Sequence, residues 1–121
     1  MGLHLIADLQ DAYDRFIVRV KSSGIVWGLR SEDGDYSCCE SHENPEALVI
    51  LFWSDKAYAR QIGKKYWPDY ALKELEIDLF TENFIPTMGS RGFYVGLNYN
   101  SDLAGLEIDP NQLARDLEKA S

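Results

Sequence analysis

ALVILFW, residues 47–53, is seven apolar residues without a break. A strand with one face in water alternates apolar with polar, so an unbroken run of strand length reads as a central strand covered on both faces. Asn44 and Pro45 break the chain ahead of it. Ser54 follows as a helix cap, with Asp55 in the favourable first turn, and the helix begun there runs to about Tyr66 before Trp67 and Pro68 stop it.

On the N-terminal side, Leu5, Ile6, Leu9, Tyr13, Phe16, Ile17 and Val20 recur at three- and four-residue steps, the stripe of one long amphipathic helix. Ser22, Ser23 and Gly24 end it, and IVWGLR follows as a strand with Ile25, Trp27 and Leu29 on one face. Asp33 and Gly34 form the dipeptide of a tight hairpin turn, which predicts that YSCC returns as the partner of IVWGLR.

On the C-terminal side, KELEIDL alternates strictly, so Leu75, Ile77 and Leu79 are expected inward and Glu74, Glu76 and Asp78 outward. Asp78 then caps a short helix that Pro86 kinks or ends early. GFYVGLNYN is read as a strand with Phe93, Val95, Leu97 and Tyr99 on one face, SDLAG turns it, and LEI pairs back. Asp109, Pro110 and Gln112 are a helix start, with Leu113 and Leu117 buried behind it. The order α-β-β-β-α-β-α-β-β-α mixes hairpins with helical crossovers. It predicts an α+β fold, residues 1–121 forming a single domain with an antiparallel or mixed sheet and helices mainly on one face.

With 121 residues, 45% hydrophobic and 26% charged, the chain can bury one core without staples. No apolar run approaches the ~20 residues of a membrane helix, and MGLHLIADLQDAYDR lacks the basic start of a signal peptide. Two adjacent cysteines make no disulfide framework, so a reducing cytoplasm is the expected compartment. A formal charge of −8 argues against nucleic acid, whose phosphates require clustered Lys and Arg.

Charge is also unevenly placed. Glu32, Asp33, Asp35, Glu40, Glu43, Glu46 and Asp55 fall within residues 31–55, which contain no Lys or Arg. Lys56, Arg60 and Lys64 then follow at four-residue steps, a basic row on one face of the second helix, with Trp53, Trp67 and Tyr70 bracketing it. A solvated helix face and core aromatics account for these features most simply. The functional alternatives are a docking surface for a basic partner on the acidic stretch and, along the helix, a surface for an anionic ligand or an acidic partner, to which Asn98 and its neighbour Tyr99 can add a polar anchor.

Other constellations are weak. Cys38 and Cys39 on one strand point to opposite faces, and with His42 and the distant His4 they are the only Cys and His donors for a site that wants four. One buried and one exposed cysteine is the expectation, with no metal and no cofactor. His42 with Ser37 or Ser41 lacks the rigid nucleophile motif of a triad, and GSRG at 89–92 lacks the glycine spacing and Lys of a phosphate loop.

FWSDKAYARQI, WPDY, EIDLFTENFIPTM, VGLNY and GLEIDPNQL, in that order and spacing, resemble a bacterial family of small one-domain proteins, domain of unknown function 2750, from about Phe16 to Leu117. The family commonly has Trp where this chain has Tyr99 and Pro where it has Leu51. The resemblance implies the fold and a bacterial cytoplasmic setting and transfers no catalytic residue. The layout is also similar to the N-terminal domain of proteins linked to serine sensitivity and type III secretion chaperoning, in element order alone.

The expectation is therefore a non-catalytic protein-interaction module, immunity-type or chaperone-like, with neither nucleic acid nor membrane as partner. The alternative is a binder of a small anionic ligand, or an enzyme acting on one, around Trp53, Lys56, Arg60, Trp67 and Asn98. A further possibility is a homodimer formed through the sheet edge.

Overall fold

The computed structural model describes residues 2–119, and the side chains of residues 8–119. His4, Leu5 and Ile6 lie outside the described side chains. The elements are α1 (Gly2–Ser23), β1 (Ile25–Arg30), β2 (Cys38–Glu40), β3 (Leu48–Phe52), α2 (Lys56–Tyr66), β4 (Ala71–Glu76), α3 in three segments (Ile77–Leu79, Phe80–Phe84, Ile85–Ser90), β5 (Tyr94–Leu97), β6 (Leu106–Ile108) and α4 (Pro110–Glu118). The expected order and the α+β class hold.

β3 is central, in a four-stranded sheet of order β2-β3-β5-β6. It runs antiparallel to β2 and parallel to β5, and β5 pairs antiparallel with β6 as the LEI return predicts. Because side chains alternate along a strand, Val49, Leu51 and Trp53 pack toward α2 while Phe52 packs toward the other face with Val95 and Leu97. α1, α3 and α4 cover that second face through Phe16, Val20, Phe80, Ile85, Met88, Leu113 and Leu117. The unbroken apolar run is thus explained by cover on both sides. Each fully buried large side chain there contributes roughly 1.5–3 kcal/mol of transfer free energy.

The expected β1–β2 hairpin forms only its turn. Gly34, at φ +94°, donates to the Ser31 carbonyl at 3.0 Å, and Arg30 and Tyr36 make one isolated bridge. Ser37 completes that bridge by donating to Leu29 at 2.9 Å, and its carbonyl accepts from Leu51 at 3.0 Å; the chain then leaves β1 and β2 pairs with β3. The full-length partner of β1 is β4, antiparallel from Ile25↔Glu76 to Arg30↔Ala71. Reciprocal 2.8 Å bonds between Trp27 and Trp53 join this two-stranded sheet to the larger one. A turn signal sets a reversal of direction, whereas pairing is settled by which apolar faces can be buried together.

Several local expectations shift. Asp55, rather than Ser54, caps α2, accepting from the Tyr58 amide at 3.1 Å. β4 ends at Glu76, so Leu75 is buried but Leu79, expected inward, is 43% exposed. α3 begins at Ile77, and Asp78 sits in its first turn instead of capping it. Nor does Pro86 end α3. The Ile85 amide reaches back five residues to Phe80, a π-helical turn that widens the helix ahead of a residue whose ring would press on the carbonyl four positions back. Asp109 and Pro110 do start α4, the Asp109 carboxylate accepting from Asn111 at 2.8 Å.

Tyr13 of α1 donates its hydroxyl to Asp116 of α4, tying two helices that share few other polar contacts. Desolvation pushes the Asp116 carboxyl up, but hydrogen bonds from Tyr13 and Gln112 and the nearby Lys119 charge outweigh it and hold the group below its ordinary value. A carboxyl depressed in the folded state contributes stability that is full above its unfolded pKa, ~3.9, and is lost as pH falls through the lower folded value. Tyr13→Phe is therefore expected to cost about 1 kcal/mol at neutral pH, a gap that closes as pH is lowered below about 4. Urea unfolding of both proteins across that range checks it; a gap constant with pH would show that the ionised carboxylate is not the acceptor.

Candidate functional site

The residues singled out in the sequence fall in three places. Trp53 and Tyr99 are core: both are at most 1% exposed, and the Trp53 indole donates to the Tyr99 carbonyl at 3.0 Å. Tyr99 was expected on the face of Val95 and Leu97, yet it packs on the α2 side. The reason is Asn98, whose φ of +54° reverses the alternation and folds the Tyr99 ring back over Gly96. Burial, then the neighbouring Cys39 and Glu107, push the Tyr99 phenol well above its ordinary range, so it stays neutral.

The second place is the outer side of α2. Lys56, Arg60 and Lys64 are exposed, and no ion pair among the described residues involves them. Lys56 lies 5.4 Å above the Trp27 ring, a cation–π contact. Arg60 and Lys64 rim a groove of about 290 Å³ where α2 meets β4, with Trp67 and Tyr70 half-buried along it and their rings 6.4 Å apart. α2 can come this close to β1 because residue 63 is Gly; a Cβ there would lie 3.0 Å from Leu29.

Asn98 belongs to a third place, the far side of α2. Its amide donates to the Ala12 carbonyl at 3.2 Å and the Ser54 hydroxyl at 3.1 Å, while its carbonyl oxygen accepts from the Ser54 amide at 2.9 Å. It thereby clamps α1 to the turn between β3 and α2. Beside it opens a cleft of about 720 Å³, walled by α1, the first half of α2 and the β5–β6 loop. Arg15 and Arg19 reach it from α1, and Arg19 pairs with Asp55 at 3.1 Å. These two arginines were not singled out in the sequence, although their four-residue spacing on the polar side of α1 was a signal.

The cysteine segment carries other roles. Cys38 and Cys39 are both half-buried, where one buried and one exposed were expected, because β2 packs Cys39 against the α2-side core without covering Cys38. Burial first, then Asp35 for Cys38 and the neighbouring Cys38, Glu107 and Glu40 for Cys39, push both thiols up, away from the thiolate that is nucleophile and metal ligand. Ser41 donates to Glu107 at 2.6 Å, and the His42 amide donates to the other oxygen at 2.6 Å. The Ser41 hydroxyl is thus turned to a carboxylate on β6, and His42 is exposed. Among the described residues, no group of three or more His, Cys, Asp or Glu is gathered to hold a metal ion, and no helix is long and apolar enough to cross a membrane.

Fold and surface together define a small α+β protein whose open features include a polar cleft and a basic, aromatic-edged groove on two sides of one helix. The family described as protein of unknown function (DUF2750) matches residues 13–117, most of the chain, and the chain belongs to that family. No curated protein matches it.

Proposed function

We propose that this chain is a non-catalytic protein-interaction module of the bacterial cytoplasm, immunity-type or chaperone-like, that docks an acidic segment of a partner protein along α2. The observation that carries the reading is the exposed basic row of Lys56, Arg60 and Lys64 beside the Trp67–Tyr70 groove, on a chain whose net charge is −8. Arg, Trp and Tyr are the residues that dominate binding energy at interfaces, and a half-buried aromatic groove gives a partner side chain somewhere to insert. Glu32, Asp33, Asp35, Glu40, Glu43 and Glu46 are exposed on the β1–β2 and β2–β3 side, while Asp69 and Glu32 border the β4 end of the groove. Segregated charge of this kind speeds and orients association and suppresses wrong partners.

The test captures partners from the native host's lysate at low and high salt, remakes the captured protein recombinantly, and maps its footprint on α2 by hydrogen exchange. A Lys56→Glu, Arg60→Glu double variant is expected to weaken binding by about tenfold or more, with weaker salt dependence than the wild type. A partner that binds the variant equally well, or protects a different surface, overturns the reading.

A further inference from the structure

We propose that the cleft between α1, the first half of α2 and the β5–β6 loop binds a small molecule carrying one anionic group, a carboxylate or a phosphate, on a compact apolar body. This goes beyond the docking role of the α2 row, and it rests on different residues.

The cleft volume, about 720 Å³, lies within the range of small-molecule sites, roughly 300–1,000 Å³. Its apolar lining comes from three elements, Leu9 and Ala12 of α1, Ala57 of α2 and Ala104 of the loop. Small alanine side chains keep it open. It is also held in shape before any ligand arrives, because Asn98 fastens α1 to the β3–α2 turn through three bonds of 2.9–3.2 Å. A preformed site avoids the ordering cost that weakens binding to mobile surfaces.

The charges decide the ligand class. Four charged side chains of opposing sign line the cleft, Asp8, Arg15, Arg19 and Asp55. Asp55 is already engaged at both oxygens, by the Tyr58 amide at 3.1 Å and by Arg19 at 3.1 Å. Arg15 has no hydrogen bond or ion pair among the described residues. Arg15 and Tyr58 both line the cleft, so a guanidinium and a phenol hydroxyl are available there as donors to an anion. Asp8 stands seven residues before Arg15, about 10 Å along the helix axis, and repels an anion from that part of the wall. The unpaired Arg15 is therefore where a negative group is favoured. A guanidinium supplies a forked pair of donors suited to carboxylate or phosphate.

The test is an amide-resolved NMR titration of the full chain with phenyl phosphate, benzoate, inorganic phosphate and benzyl alcohol. Saturable shifts at Ala57, Tyr58, Asn98 and Ala104 are expected with phenyl phosphate or benzoate, at least about tenfold tighter than with benzyl alcohol. Inorganic phosphate shows whether the anion alone suffices or the apolar body contributes. Arg15→Gln is expected to weaken the tighter probe by about tenfold with an unchanged unfolding midpoint, while Lys56→Glu, Arg60→Glu leaves the shifts in place. Absence of saturable shifts with both anionic aromatics, equal affinity for benzyl alcohol, or binding unchanged by Arg15→Gln each overturns the proposal.

Discussion

Trp53→Ala is expected to lower the free energy of unfolding by about 3–5 kcal/mol, the range for emptying a large buried aromatic site. Trp53 is fully buried, packs with Leu51, Ile62 and Tyr99, and donates its indole N–H to the Tyr99 carbonyl at 3.0 Å. Its backbone also exchanges both hydrogen bonds with Trp27, the pair that joins the two sheets. Trp53→Phe separates these contributions. It keeps most of the apolar volume and leaves the Tyr99 carbonyl unsatisfied, which is expected to cost about 1–3 kcal/mol. Urea unfolding followed by circular dichroism measures both variants. A loss below about 1 kcal/mol for Trp53→Ala would mean that the indole is not part of the core and would return it to the list of binding residues.

Gly96→Ala is the second large effect, expected to cost about 3 kcal/mol or more, the upper end of overpacking. A Cβ at residue 96 would lie 2.5 Å from the Tyr99 ring and 2.6 Å from Leu51 Cδ2, and Gly96 stands opposite Leu51 in the parallel β3–β5 pair. Neither neighbour can withdraw, because each is at most 1% exposed and enclosed by the same core. Gly105 also lies against the ring, and all three atoms nearest to its Cβ belong to Tyr99. A double-mutant cycle isolates this contact: the cost of Gly105→Ala should fall by more than half in a Tyr99→Ala background. Additive costs would show that the ring is not what excludes a side chain at residue 105.

The two glycines make room for the Tyr99 ring, which lies against both of these positions without a Cβ. Its hydroxyl is buried with no partner among the described residues. Nothing in the chain between residues 93 and 99 marks the ring's direction, since strict alternation places Tyr99 with Val95 and Leu97. The positive φ at Asn98 overrides the alternation, and Asn tolerates that conformation better than most residues.

By itself the sequence determined what depends on neighbours in the chain. The apolar run at 47–53, the helical stripe of α1, the Asp109–Pro110 start and the Gly34 turn all act within a few residues, so element type and order were legible. The family resemblance, carried by the order of short motifs, was legible for the same reason. Only the tertiary structure decided partners. β1 pairs with β4 instead of β2 because burying Val26 and Leu75 together covers more apolar surface than a hairpin lying in water can. The dispersal of the expected site follows from the same cause. Helix periodicity and strand alternation send Trp53 to the core, Arg60 and Trp67 to the groove and Asn98 to the cleft. The cleft itself draws Arg15, Tyr58 and Ala104 from elements far apart in the chain, a juxtaposition that no local pattern encodes.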